Sequence, residues 1–379
     1  MRILGIESSC DETAAAVVED GKNILSSIVK SQIDIHTQYG GVVPEVAARN
    51  HLEVVNPVVQ QALDDANIDW SKIDAIAVTY APGLSGSLLI GAITAKTLAY
   101  LYNKPLYPIH HVEAHVYANF LINGQGELAK DLPTSQPKFP LLALIVSGGH
   151  TQLVLFSDHG KFRILGQTQD DAVGEAFDKV AKIIGLPYPG GPSISKAAIH
   201  GDPYKYKLPK AKLKNKFDFS FSGLKTAVLR AVQSEVGVNF SFPSYKLPEL
   251  LNEEQQNNFA ASFQYIAIES LVDKTVTAFN EFSPESVVIA GGVAANQELR
   301  SQLKSRLPVE INYAPIKLCT DNAAMIACLA YYQAQHQAPI NPLELDIKPS
   351  LAMTSRMYLN ESTLFTIRSM AIISRSSWA

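Results

Sequence analysis

The chain has 379 residues, 47% of them hydrophobic and 18% charged, the balance of a soluble globular protein long enough for about two domains. Its net charge of -4 excludes a globally basic nucleic-acid binder, so any such contact has to be local. Three scattered cysteines, Cys10, Cys319 and Cys328, exclude a disulfide scaffold and point to a reducing cytoplasm, while the absence of a signal-peptide layout or a run of roughly 18 apolar residues points away from a membrane.

The predicted elements open with two strands, residues 2–6 and 13–19, joined by the polar turn ESSCDE. A helix follows over 44–66, where apolar residues recur at helical spacing. A strand at 73–80 leads through the Gly-rich loop APGLSGS into a largely buried helix over 88–103. PLYPIHH then enters HHVEAH, residues 110–115. His111 and His115 are one helical turn apart on one face, which suits either two ligands of one divalent cation or two neighbouring side chains. A zinc or iron site wants at least a third protein ligand. Glu113 is not adjacent to the first histidine, which argues against the H-E-x-x-H metalloprotease pattern. Residues 123–139 read as a linker. The segment 141–156 then repeats strand, tight turn, strand, so the chain reads as two related α/β halves. A strand at 286–290 and a helix from residue 294 follow, and periodicity fades after residue 346.

Six stretches can carry chemistry. ESSCDET places hydroxyls and carboxylates on a turn, suited to a phosphate or hydrated cation, or simply to a polar hairpin. In IVSGGHT two glycines after an apolar strand let backbone N–H groups approach an anion, or close a hairpin. VVIAGGVAAN sends a buried strand into a helix N-terminus, favourable for phosphate, although it is not the G-x-G-x-x-G fingerprint. In DDAVGEAFDK, Asp171, Glu175 and Asp178 fall on adjacent turns of a predicted helix, able to receive ribose hydroxyls or to form a solvated face. Six lysines between Lys205 and Lys216 precede Phe217, Phe219 and Phe221, a pattern for phosphates and stacked bases, or for a solvated basic loop. In CTDNAAM, Asp321 has an N-cap setting that would also suit a metal ligand; spacing alone does not join it to His111 and His115.

Taken in order, GIESSCDET, GGVVPEVAARNH, PGLSGSLLIG, HHVEAH, IVSGGHTQL, DDAVGEAFDK, YPGGP, FSFSGLKT, GGVAAN and CTDN resemble the TsaD/Gcp family of tRNA N6-adenosine threonylcarbamoyltransferases, over about residues 1–335. The resemblance implies an α/β actin/Hsp70/hexokinase-like (ASKHA) fold, two lobes around a cleft: residues 1–135, 136–318, and a C-terminal helix at 319–345 returning to the first lobe; the tail at 346–379 departs from the family's usual ending and reads as a disordered segment, a partner contact or a lineage-specific addition. It implies one divalent metal on His111, His115 and Asp321, Fe(2+) by preference with Zn(2+) as the alternative. It implies substrate binding at Ile145, Val146, Ser147, Gly148, Gly149, Asp178, Gly191 and Asn296, and catalytic involvement of Asp11 and Glu12. The donor would be threonylcarbamoyl-AMP and the acceptor tRNA. The partners would be TsaB and TsaE in a bacterial setting, or a second copy in an organellar one, with no membrane. Ala114 and Ala323 replace glycines usual in the family; both are small beside the expected ligands. The alternatives are a small-molecule kinase or ATPase of the same fold, which has no use for the HxxxH pair, and a non-catalytic scaffold paralogue, expected to lose the ligands.

Overall fold

The computed structural model describes residues 1–124 and 130–354. Five strands form the first sheet: β1 (Arg2–Glu7), β2 (Glu12–Glu19), β3 (Asn23–Ser31), β4 (Ala75–Ala81) and β5 (Leu106–His110), in the order β3-β2-β1-β4-β5. Five more form the second: β6 (Leu141–Val146), β7 (Thr151–Asp158), β8 (Lys161–Gln167), β9 (Ser286–Ala290) and β10 (Ile311–Tyr313), in the order β10-β9-β6-β7-β8. In each sheet the first three strands run as an antiparallel meander and the last two add in parallel on the other edge of the leading strand. This duplicated wiring is the two-lobed ASKHA architecture, and it turns the weak sequence repeat into a structural one.

Strands β1, β4, β6 and β9 are buried on both faces, which is why they read as continuous apolar runs. On one face of the first sheet, Leu4, Ile6, Ala15 and Val17 pack with Val58, Val59, Ala62 and Leu63 of helix Pro44–Asp65 and with Ala92 and Ala95 of helix Ser85–Leu101. The other face receives helix Ala323–Ala334, so closely that a Cβ on Gly5 would lie 2.3 Å from the Ala323 carbonyl oxygen. In the second lobe, helices Val173–Ile184, Gly190–Ala198, Ser222–Glu235 and Glu253–Phe282 contribute to one continuous core with β6, β7 and β9. An aromatic cluster joins the lobes. The His159 ring, from the β7–β8 turn, stacks on Tyr332 at 3.8 Å, and Tyr117 Oη lies 3.2 Å from His159 Nδ1.

Several expectations need correction. Strands β3, β5, β8 and β10 were not assigned from sequence; β3 and β8 are sheet-edge strands with mixed burial, and β10 has three residues with none buried, so none of these three carries a strong apolar signal. The helix expected from residue 294 starts at Gln297, after a short 3-10 turn over Gly292–Ala295. The first residues of the supposed tail pack on the first lobe: the Lys348 amide donates to Tyr80 O at 2.8 Å, Gly83 N donates to Pro349 O at 3.1 Å, and Met353 is buried. The remainder, 355–379, and part of the expected linker, 125–129, lie outside the described residues. Among the described residues no helix is long and apolar enough to cross a membrane.

Candidate active site

His111 and His115 lie on the short helix His111–Tyr117, which begins where β5 ends, so the strand end aims both rings into the cleft. Asp321 reaches them from the loop ahead of helix Ala323–Ala334. The expected N-cap role belongs not to Asp321 but to its neighbour. Asn322 Oδ1 accepts from the Met325 amide at 3.0 Å, and its Nδ2 donates to Leu318 O and Thr320 O, which leaves the Asp321 carboxylate free to face the histidines. His111 Nε2 and His115 Nε2 are 3.1 Å apart, and each lies 3.4 Å from Asp321 Oδ1. Donors bound at about 2.0–2.1 Å to one tetrahedral ion sit about 3.3 Å from one another, so the set fits a small divalent cation. Two imidazoles and a carboxylate suit iron, zinc or manganese.

The electrostatics follow from three ionisable groups sharing a buried corner. Burial opposes charge on His111, but Asp321 and Glu7 outweigh it and hold its pKa well above the ordinary value. For Asp321, burial likewise opposes charge, and His111 and His115 overcome it, holding the carboxyl well below the carboxylate range. His115 goes the other way, lowered by burial and by the neighbouring His111.

The ESSCDET turn is pinned under this corner. Ser8 Oγ donates to Ser87 O at 2.8 Å, the Leu84 amide donates to Ser9 O at 2.8 Å, and Ser87 Oγ donates to Cys10 O at 3.0 Å. The PGLSGS loop is thus the mould of the turn. His51 clamps it from helix Pro44–Asp65, with Nδ1 2.7 Å from Thr13 Oγ1 and Nε2 3.0 Å from Cys10 O. A carbonyl can only accept, so His51 Nε2 carries the proton and Nδ1 accepts from Thr13. Asp11 and Glu12 are presented at the end of this turn. Burial, then Asp321 and Asp11, push the Glu12 carboxyl up to about 9. Sequence reading gives His51 no role of its own and takes Glu7 only as one carboxylate of the ESSCDET turn. His51 lies in a long helical motif, and Glu7 closes a core strand; only the oddity of buried polar groups marks them.

Across the cleft, Ser147, Gly148, Gly149 and His150 form the β6–β7 turn, closed by Ser147 N to His150 O at 2.8 Å. A Cβ on Gly148, Gly149 or Gly191 would meet nothing within 4 Å, so at these positions the backbone faces open space. Gly291 differs: its φ is +91° and a Cβ would lie 2.4 Å from Val146 O, so the second glycine pair is there for close packing as well as openness. Ile145 and Val146 are fully buried in β6, and their side chains belong to the core. Burial pushes the His150 imidazole down to about 4, and the charges of His111 and His115 add to this.

Asp178 Oδ1 accepts from the Gly190 amide at 2.7 Å, tying helix Val173–Ile184 to the PGGP turn; burial raises its pKa, with Glu175 and Asp11 adding to it. Asn296 Oδ1 caps its helix through Leu299 N, and its Nδ2 donates to Ser195 Oγ at 3.1 Å and Gln264 Oε1 at 2.9 Å. Ser195 and Gln264 are thus companions of Asn296 that sequence reading missed.

The remaining acids of DDAVGEAFDK have structural partners. Asp171 precedes the helix rather than lying on it and pairs with Lys179 at 2.8 Å and Lys225 at 3.0 Å, and Glu175 pairs with Lys179. Phe217, Phe219 and Phe221 are buried in the core, so they do not stack bases. Of the six lysines before them, Lys210 pairs with Glu269 and Asp273 and Lys216 with Glu281. Among the described residues Lys205, Lys207, Lys212 and Lys214 are exposed and carry no ion pair.

A family profile described as "TsaD: tRNA N6-adenosine threonylcarbamoyltransferase" matches residues 23–328. A protein of Thermomicrobium roseum bearing that same name is 51% identical over 367 residues, covering 95% of this chain and 99% of its own. One from Symbiobacterium thermophilum, likewise so named, is 49% identical over 333 residues, 87% of this chain and 91% of its own. Among solved structures, full-length HypF in its phosphate- and nucleotide-bound form superposes with a TM-score of 0.55 at 12% identity, over 88% of this chain and 46% of that one, a likeness of fold alone.

Proposed function

The chain belongs to the TsaD family of tRNA N6-adenosine threonylcarbamoyltransferases and is an acyltransferase; we propose that it moves the threonylcarbamoyl group from threonylcarbamoyl-AMP to N6 of the adenosine 3′ of the anticodon, in tRNAs reading codons that begin with A. The observation that carries the site assignment is the convergence of His111, His115 and Asp321 in a cleft walled by open glycine backbone.

In the proposed reaction the N6 amine attacks the carbamoyl carbon, the bond from that carbon to the phosphate oxygen breaks, and AMP leaves with the electron pair. The donor is a mixed anhydride and already activated, so positioning and charge stabilisation matter more than a strong base. His111, His115 and Asp321 would hold one divalent ion, iron by preference, which supplies Lewis-acid polarisation of donor oxygens. The amides of Gly148 and Gly149 take donor oxygens on the opposite wall, Ser147 holds their turn through its own amide and Oγ, and the backbone of Ile145 and Val146 contributes from the strand end. Asp178 and Gly191 frame the nucleotide side, and Asn296 organises the helix end beneath it. Asp11 and Glu12 are the carboxyl groups next to the reacting atoms; Asp11 takes the proton that N6 loses.

Exposed Lys205, Lys207, Lys212 and Lys214 meet tRNA phosphates. Leu52, Leu89, Ile93 and Tyr100 leave an apolar ridge on the outer helices of the first lobe, from 45% to 73% exposed, which supports a helical partner there, the paralogue TsaB, with the ATPase TsaE joining the assembly, or a second copy of the chain. The compartment is the cytoplasm. The direct test is nucleoside mass spectrometry after incubation of the protein with threonylcarbamoyl-AMP and unmodified tRNA, with and without TsaB and TsaE. Appearance of N6-threonylcarbamoyladenosine supports the reading. Sugar-driven ATP turnover without that product supports a kinase instead.

A further inference from the structure

Behind the triad lies a carboxylate that the reaction does not touch. Glu7 is fully buried at the end of β1, and its Oε2 lies 2.9 Å from His111 Nδ1. Both of its oxygens are committed: Oε1 accepts from the Ser9 amide at 2.5 Å, and Oε2 also accepts from Thr79 Oγ1 at 2.6 Å. Ser9 Oγ stands 3.2 Å from the same His111 nitrogen. The other histidine has nothing comparable: His115 Nδ1 is buried with no hydrogen-bond partner among the described residues.

We propose that Glu7 is a positioning residue that fixes His111 with its proton on Nδ1 and its Nε2 lone pair in the cleft, making His111 the stronger and better oriented ligand of the pair. The inference rests on reading the triad as a metal site. An ionised carboxylate can only accept, so the His111 nitrogen facing it has to donate, and the opposite nitrogen is the one left to bind a cation. The flanking donors fix the carboxylate in turn, because Ser9 N and Thr79 Oγ1 hold it from the turn after β1 and from β4. A charge this deeply buried is retained only with such a set of partners. Among the described residues His115 Nδ1 has no such orienting contact, so the two ligands are inequivalent although one turn apart.

Glu7→Gln tests this nearly isosterically. A glutamine NH2 in place of Oε1 sets donor against donor at Ser9 N. In place of Oε2 it donates to His111 Nδ1, and the proton moves to Nε2, where it blocks the ligand position. Zinc alone, titrated into the purified apo full-length chain, is the probe. We expect an affinity roughly ten- to hundredfold weaker for Glu7→Gln than for the unaltered chain. The second measurement needs no variant: in 15N-histidine-labelled, zinc-loaded protein, His111 should show a protected Nδ1–H and a metal-bound Nε2. Unchanged zinc affinity in a folded Glu7→Gln chain, or a His111 bound through Nδ1, would overturn the inference. Failure of the unaltered chain to bind zinc would instead overturn the triad reading beneath it.

Discussion

Asp321 Oδ1 lies 3.4 Å from the Nε2 of His115, although one residue sits in the loop ahead of helix Ala323–Ala334 and the other on helix His111–Tyr117. The contact depends on Asn322, which takes over the cap of the following helix and frees its neighbour. Asp321→Asn keeps the shape and removes the charge. Metal content and transfer rate should fall together, by more than the roughly ten- to hundredfold loss that outer partners of a metal ligand produce. Elemental analysis and a single-turnover assay check both. Asn322→Ala should also lower metal content, and in addition cost about 1 kcal/mol of stability through the missing cap.

His51 should matter without touching substrate. Its two hydrogen bonds hold the turn that presents Asp11 and Glu12. His51→Ala leaves the Thr13 hydroxyl without its buried partner, at about 1–3 kcal/mol. Urea unfolding should show that loss, and kcat should fall more than KM rises, because the proposed reaction sets Asp11 and Glu12 beside the reacting atoms.

Asp170 offers the contrasting case. It accepts from the amides of Phe221 at 2.8 Å and Ser222 at 3.2 Å, acting as a cap supplied from another segment for helix Ser222–Glu235. Asp170→Ala should lower stability by about 1 kcal/mol and leave zinc affinity unchanged. Thermal unfolding beside zinc titration separates the two effects.

The lysine loop predicts a salt signature. Replacing Lys205, Lys207, Lys212 and Lys214 by alanine should weaken tRNA binding and flatten its salt dependence, by up to about 0.7–0.9 in log–log slope for each phosphate left without its lysine. Lys210→Ala, which breaks an ion pair with Glu269 and Asp273, should barely change the slope. Filter binding across a salt series measures it.

His159 predicts an acid limb. Burial pushes its imidazole down to about 4 from an ordinary 6.5, between the aromatic rings that join the lobes. A folded-state pKa below the unfolded one means protons favour unfolding. Its contribution is complete above pH 6.5 and is lost as pH falls towards 4. His159→Gln should flatten stability against pH across that window, as measured by urea midpoints.

Much of this was legible in the order of residues alone. Apolar runs gave the doubly buried strands, because such strands need no alternation. The HxxxH spacing gave a shared face. What sequence spacing could not supply were contacts between distant segments. Asp321 joins the histidines only through the fold, and Asp321's apparent cap position hid that Asn322 does the capping. Glu7 reads as the first carboxylate of the polar ESSCDET turn, and its role depends on Thr79 and His111 arriving from elsewhere. Strands β3 and β8 were missed because a sheet edge tolerates polar residues on both faces. Phe217, Phe219 and Phe221 follow a basic run, but the second-lobe core claims them, and composition cannot tell a stacking ring from a packed one.

The most direct test of the account is metal content measured alongside product. Prepare the unaltered chain and His111→Ala, His115→Ala and Asp321→Ala, each shown to be folded, and determine metal per chain and N6-threonylcarbamoyladenosine formed from threonylcarbamoyl-AMP and tRNA with the partner proteins present. The account predicts one ion per unaltered chain, its loss in all three variants, and loss of product in step. Product formed at the unaltered rate by a variant without the ion would contradict it.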